Sequence, residues 1–183
     1  MLKKIIFALL LVCTLTATDR EKSTFQATGD VLRLLPIFVG VVSLIAKDYR
    51  GVGQLVAGSL AGQGVIEIVK RGFEALHKNG VAVSFAKRPC CEDYKGMPSG
   101  HAGGAFSAAG FVFYRYGVKL ATPVILLAVI TDASRIYAQK HTIWQVLVGS
   151  FIAWVSAWVF TNKRNITKKT WFEKIILTLL AML

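Results

Sequence analysis

Five apolar segments, at 31–46, 52–69, 102–116, 120–133 and 143–160, alternate with polar stretches along the chain. Segments of this length suit the hydrocarbon of a bilayer better than the core of a small soluble domain. They predict an all-α, polytopic membrane helix bundle of about five spans. Gly58, Ala61 and Gly62, and then Gly103, Gly104, Ala108 and Gly110, supply the small side chains that let such helices approach closely. Pro36 and Pro123 sit near predicted helix starts, where proline is tolerated. Asp30 closes the polar stretch 18–30 and reads as a helix N-cap.

The two ends carry a different pattern. Lys3 and Lys4, the apolar run from Ile5 to Leu15 and the small Ala17 predict a signal peptide over 1–17, with an uncleaved anchor as the alternative. Val12, not a small residue, precedes Cys13, which argues against a lipoprotein site. Residues 161–183 join Lys163, Arg164, Lys168, Lys169 and Lys174 to an apolar run from Trp171 to Leu183. This reads as a basic amphipathic tail lying on the membrane rather than a further span. Residues 18–160 form the single domain between them.

Composition supports a membrane chain: 54% of the 183 residues are apolar, 17% are charged, and mean hydropathy is +0.53. A net charge of +12 in a soluble protein would suggest nucleic acid. Here no basic-aromatic stripe accompanies it, and no nucleic-acid partner is expected. The charges fall in loops instead. With residue 18 outside, the inner side receives Lys47, Arg50, Arg115, Lys119, Lys163, Arg164, Lys168 and Lys169. The outer side receives Lys70, Arg71, Lys78, Lys87, Arg88, Lys95, Arg135 and Lys140. Setting aside the outer charges that belong to the motifs below leaves a positive-inside pattern. The three cysteines make no zinc pattern. Adjacent Cys90 and Cys91 are open to a vicinal disulfide, to pairing with another chain, or to remaining free thiols.

On this topology Lys70, Arg88-Pro89, Pro98-Ser99-Gly100-His101, Ser134-Arg135 and His141 meet at one membrane face. Charged groups at span ends are expensive there unless used. Arg88 and Arg135 can grip phosphate oxygens bidentately. Ser99 and Gly100 place backbone N–H groups at a helix N-terminus, which favours an anion. Lys70 adds a point charge. His101 and His141 titrate near neutral pH and can serve as acid and nucleophile. The loop from Arg71 to Met97 is long enough to expect a functional role.

These residues resemble the motifs of the type-2 phosphatidic acid phosphatase superfamily: Lys…Arg-Pro, Pro-Ser-Gly-His, and Ser-Arg-x5-His-x3-Asp. The resemblance covers roughly 31–160. Within that superfamily the Met97–His101 and Arg135–Ile143 strings are similar to small bacterial lipid A 1-phosphatases. The resemblance implies a membrane lipid phosphatase with a phosphohistidine intermediate and no metal or other cofactor. His141 would be the nucleophile and His101 the acid, with Lys70, Arg88, Ser99, Gly100 and Arg135 holding the phosphate. Lipid A is the expected substrate, with an inner-membrane location and a periplasmic site. Undecaprenyl diphosphate, phosphatidylglycerophosphate, a lipid phosphotransferase and a non-catalytic binder of anionic lipid remain alternatives.

Two departures from the family pattern bear on the site. Seventeen residues separate Lys70 from Arg88 where the family has six, and Val81 stands at the family's lysine spacing. Lys70 ends the apolar helix, which places an insertion after it; Arg71 and Lys78 are rivals for its role. Gln145 replaces the aspartate that orients the nucleophile, at i+4 from His141. Exchange of Gln145 for Asp is then expected to keep or raise activity. Asp132 is the one carboxylate that the sequence places near His141. His77 reads as structural, Arg71, Lys78, Lys95 and Lys140 as solvated or headgroup contacts, and Glu67 as a partner of Lys70 or Arg71. Trp144, Trp154, Trp158 and Trp171 read as interface anchors or packing. The Asn165-Ile166-Thr167 triplet reads as chance.

Overall fold

Every described element is a helix; four of the five apolar segments lie in one helix each, and the first is divided between two. The computed structural model describes residues 24–164; the expected signal segment and nearly all of the basic tail lie outside them. The helices are α1 (Thr24–Leu32), α2 (Leu35–Ile45), α3 (Tyr49–Lys78), α4 (Gly100–Tyr116), α5 (Val118–Tyr137) and α6 (Ile143–Phe160), with one 3₁₀ turn at Ser84–Ala86. Three of them, α3, α5 and α6, are long and apolar enough to cross a membrane, and α1 with α2 would make a fourth span if the bent pair is one unit. The remaining segment is the 17-residue helix α4.

Helix α4 is the centre of the bundle. It packs against α6, α5 and α3, while α1 lies on α5 and α2 lies on α3 and α4. Its sequence permits this position, because Ala102, Gly103, Gly104, Ala105, Ala108, Ala109 and Gly110 are all buried and keep its surface thin. Leu35, Val39, Leu55, Phe111 and Val112 fill the apolar core beside it. Lipid-facing positions stay apolar instead of polar: Leu60, Ile68, Phe151 and Val159 are among the exposed residues.

Three expectations change. Asp30 does not cap a helix; it lies within α1, and the segment 31–46 is broken between Leu32 and Leu35 with a bend of 47°. Pro36 lies in the first turn of α2, where its missing N–H does no harm. Helix α3 does not end at Lys70 but runs eight residues further, to Lys78. Pairs at i,i+4 carry it on: Glu67 with Arg71 and Glu74 with Lys78. Thirty residues span about 45 Å, so its last turns project past a hydrocarbon core of about 30 Å.

The loop over 79–99 folds back on those projecting turns. Tyr94 stacks on His77 with ring centroids 3.5 Å apart, Phe85 meets Phe73 edge-on at 5.0 Å, and Lys95 pairs with Glu74 at 3.1 Å. The insertion is therefore an ordered cap over one end of the bundle. His77 has the structural place expected of it.

The opposite end has its own polar cluster. Asp48 caps α3 by accepting from Gly51 N at 3.0 Å, and it accepts from Arg115 Nε at 2.8 Å, Arg115 Nη2 at 2.5 Å and Tyr116 Oη at 2.8 Å. Arg115 also donates to the carbonyl of Asn162, beyond α6, at 2.8 Å. Burial alone would raise the pKa of Asp48, but the bonds from Arg115, Tyr116 and the Gly51 amide outweigh it and bring it down to about 2.

Candidate active site

A cavity of about 590 Å³ opens at the end of the bundle under the 79–99 loop. Lys70, Arg88, Gly100, His101, Arg135 and His141 all line it, joined by Asp30, Arg33, Gln63 and Lys140. Residues from four helices and the three segments that join them at this end converge there, because α4 begins at this end while α5 ends at it.

His141 sits in the turn between α5 and α6 and is 4% exposed. Its Nδ1 lies 2.8 Å from the carbonyl oxygen of Gly96 and 3.2 Å from Gln145 Oε1. Both neighbours can only accept, so Nδ1 carries the proton and Nε2 keeps its lone pair. Burial is the largest influence on its pKa and the Arg88 guanidinium the next; with Lys70 they bring it from 6.5 down to about 4 against the opposing bonds from Gly96 and Gln145. At neutral pH the ring is uncharged, which a nucleophile requires.

Gln145 holds more than the histidine. It is fully buried, and its Oε1 also accepts from Thr142 N while Thr142 Oγ1 accepts from Gln145 N, a capping box at the start of α6. Its Nε2 donates to the carbonyls of Phe85 and Lys87 at 2.9 and 2.8 Å. One amide thus ties the helix start, the histidine and the inserted loop together. Asp132 is not in this network; it accepts from Ser150 Oγ at 2.9 Å.

The cations divide by their surroundings. Arg88 is placed by its backbone N–H, which donates to Asp93 O at 2.8 Å, and its Nε lies 3.1 Å from Asp93 Oδ2. Lys70 reaches the start of α4: its Nζ is 3.3 Å from where a β-carbon on Gly100 would stand. Of the three residues weighed for the first motif, Lys70 lines the cavity, whereas Arg71 pairs with Glu67 and Lys78 with Glu74 outside it. Glu67 therefore partners Arg71. Arg135 is 3% exposed and donates from Nε to Ser134 Oγ at 3.1 Å, from Nη1 to Asp30 Oδ1 at 2.7 Å and from Nη2 to the Gln26 carbonyl at 2.6 Å.

Ser99 departs from its expected place. Its hydroxyl caps α4 by accepting from Ala102 N at 3.4 Å, and its own N–H donates to the Gln145 carbonyl at 2.8 Å. It is fully buried behind the cavity wall, so of the two expected amide donors it is Gly100 that borders the cavity. The fit behind Ser99 is tight. A β-carbon on Gly149 of α6 would lie 2.3 Å from the Ser99 carbonyl oxygen.

The site also contains residues that motif reading did not find. Asp30 Oδ1 accepts from His101 Nε2 at 2.9 Å, so that nitrogen bears a proton, and Arg33 Nη1 is 3.4 Å from the same nitrogen. The carboxylate of this site is therefore Asp30, at the second-motif histidine, rather than Asp132. Gln63 Nε2 donates to the Gly100 carbonyl at 3.0 Å. A signal for Gln63 existed: it lies two helical turns before Lys70, on the same face of an apolar helix. Asp30 and Arg33 flank the start of an apolar segment, where charge is costly unless used. Lys140 borders the cavity as well, which gives it a place beside the expected ligands.

Comparison with known proteins adds a second line. The family model described as PAP2 superfamily matches residues 54–169. A lipid A 4'-phosphatase of Helicobacter pylori (strain J99 / ATCC 700824) is 62% identical over 138 residues, covering 75% of this chain and 70% of the relative. A lipid A 1-phosphatase of the same strain is 30% identical over 140 residues, covering 76% of this chain and 72% of the relative. A lipid A 1-phosphatase of H. pylori strain ATCC 700392 / 26695 is 28% identical over 142 residues, covering 77% and 73%. No solved structure matches the chain.

Proposed function

This chain belongs to the PAP2 superfamily and is a multi-pass membrane phosphatase, a phosphoric ester hydrolase, and on that premise we propose that it removes the 4'-phosphate of lipid A through a phosphohistidine on His141. The choice of lipid A over other lipid phosphates, and of the 4' position over the 1 position, rests on relatives of those names at 62% and about 30% identity. The observation that carries the chemistry is the Nδ1–H of His141 against the Gly96 carbonyl, which leaves the Nε2 lone pair on the wall of a cationic cavity.

In the first step Nε2 of His141 attacks phosphorus in line with the sugar oxygen. The N–P bond forms, the P–O bond to the sugar breaks, and His101, as the imidazolium, gives its Nε2 proton to the departing oxygen and becomes neutral. Arg88, Lys70, Arg135 and the Gly100 amide face the charge on the three non-bridging oxygens. In the second step water attacks phosphorus, His101 takes a proton from that water, and the N–P bond breaks to release phosphate and restore His141.

The test is release of phosphate from bis-phosphorylated lipid A by the purified protein, in EDTA, with the product's remaining phosphate located by mass spectrometry. Loss of the 4'-phosphate, abolished in folded His141→Ala and His101→Ala proteins, is the expected result. Release from undecaprenyl diphosphate or phosphatidylglycerophosphate alone would reject lipid A, and turnover by His141→Ala would reject the phosphohistidine. We read the cavity as facing the periplasm from the bacterial inner membrane; the remaining basic loops at the Arg115 end support this by the positive-inside rule. A membrane-impermeant thiol reagent on intact spheroplasts should label the exposed Cys90 and Cys91; labelling only after lysis would reverse the orientation.

A further inference from the structure

Helix α1 meets α5 closely at the edge of the cavity. A β-carbon on Gly29 would stand 1.7 Å from Ser134 Oγ and 2.9 Å from Arg135 Nη2, so the bare backbone of Gly29 is what brings α1 onto the arginine. The Gln26 carbonyl and Asp30 then take Nη2 and Nη1. One oxygen of Asp30 lies 2.7 Å from Arg135 Nη1 and 2.9 Å from His101 Nε2. It stands between Arg135 and His101, so an oxygen of a bound phosphate would compete with it for the same two donors. A guanidinium as buried as Arg135 needs an anion when no phosphate is there, and Asp30 is that anion. It cannot keep the place during the reaction, because the Nε2 proton of His101 is directed at Asp30 and not at a leaving oxygen.

We infer that Asp30 clears the site: it yields Arg135 and His101 to the incoming phosphate and takes them back when the product is inorganic phosphate, so that a pocket of Lys70, Arg88 and Arg135 does not hold its own product. This rests on the reading of the cavity as a phosphate site. Each anion competes with an internal carboxylate, and its apparent affinity falls by the fraction of molecules in which Asp30 has let go. Substrate has a lipid anchor and sugar contacts to set against that competition. Free phosphate has neither, so the carboxylate selects against product. Release of Asp30 frees one of the two bonds by which α1 holds Arg135, so phosphate binding and loosening of α1 are one event.

The experiment uses the full chain in detergent and compares wild type with Asp30→Asn. The Asn carbonyl still accepts from Arg135 Nη1, so the fold is retained, which a thermal melt checks. Inorganic phosphate should inhibit Asp30→Asn on the order of tenfold more strongly than wild type, and kcat should fall as product release slows. Glu67→Gln, which removes the same charge from an exposed pair with Arg71, should leave phosphate inhibition unchanged. In a wild-type background, a spin label on Thr28→Cys, with the native cysteines replaced, should gain mobility in saturating phosphate. An unchanged or weakened inhibition constant, with kcat lowered, would overturn the inference and leave Asp30 as a support for His101. A label indifferent to phosphate would overturn it too. If phosphate bound to neither protein, the phosphate reading of the cavity would fall, and this inference with it.

Discussion

Gln145 shows how much one side chain can decide. The expectation from sequence was that Asp at this position keeps or raises activity, because a carboxylate supports the cation that forms on His141. The geometry argues the reverse. Nε2 of Gln145 donates to the Phe85 and Lys87 carbonyls, and an aspartate would set oxygen against oxygen there while falling short of both. We expect Gln145→Asp to lower thermal stability by about 1–3 kcal/mol for buried acceptors left unpaired, and to lower activity as the 79–99 loop and Arg88 shift. Unchanged stability and activity would show that the loop is held elsewhere. The same substitution should move the titration of His141. In the wild-type protein without phosphate that titration should lie near about 4 in a histidine NMR experiment, and beside a carboxylate it should rise. The sign for stability follows: between about 4 and 6.5 the unfolded chain binds the extra proton, so this group makes the fold less stable as pH falls through that window. Gly100, His101, Arg135 and His141 were legible in the sequence because local spacing sets each of them beside a helix end, and Lys70 and Arg88 because they match the Lys…Arg-Pro motif. Asp30 was not, because its partners His101 and Arg135 are reached only through the fold.

At the scale of elements, the small residues of α4 and α6 set how near the site's two histidines can come. Gly149 faces the Ser99 carbonyl with no room for a β-carbon. Gly149→Ala should therefore push α6 off the start of α4, with a loss of roughly 1–3 kcal/mol and a larger fractional loss of turnover, measured by melting and by initial rate. Full turnover in that variant would mean that the α4–α6 spacing does not govern the site. The apolar segments were legible as helices, since their length and small-residue content point one way. Two boundaries were not. The break at Leu32–Leu35 holds Arg33 and precedes Pro36, but one charge and a proline beside the start of an apolar run read as a helix beginning rather than as a bend within one. The continuation of α3 to Lys78 was hidden by its charges: Arg71, Glu74 and Lys78 look like loop composition until their i,i+4 pairing is drawn on a helix.

The described bundle has a polar cluster at each end and apolar helices between them. At the end away from the cavity, Asp48, Arg115, Tyr116 and the Asn162 carbonyl join α3, α4 and the exit of α6. Arg115→Met should destabilise the protein by roughly 3–5 kcal/mol by leaving Asp48 buried without its partner, and Asp48→Asn in that background should restore part of the loss. A double variant that is as unstable as the sum of the singles would show the pair to be uncoupled. Because the pKa of Asp48 lies near about 2, its contribution is complete above about 3.8 and disappears only as pH falls through about 2. At the cavity end of α6, Trp144 is 71% exposed, as an indole anchored at a membrane interface would be. With Trp144 read as an interface anchor, the cavity, whose His141 is three residues before it, would lie at that interface rather than out in water. A lipid can thus present its phosphate while its acyl chains stay in the leaflet, and encounter becomes a two-dimensional search. Turnover should then follow the mole fraction of substrate in the lipid or detergent surface and be indifferent to its bulk concentration, so that adding inert detergent slows the enzyme without inhibiting it.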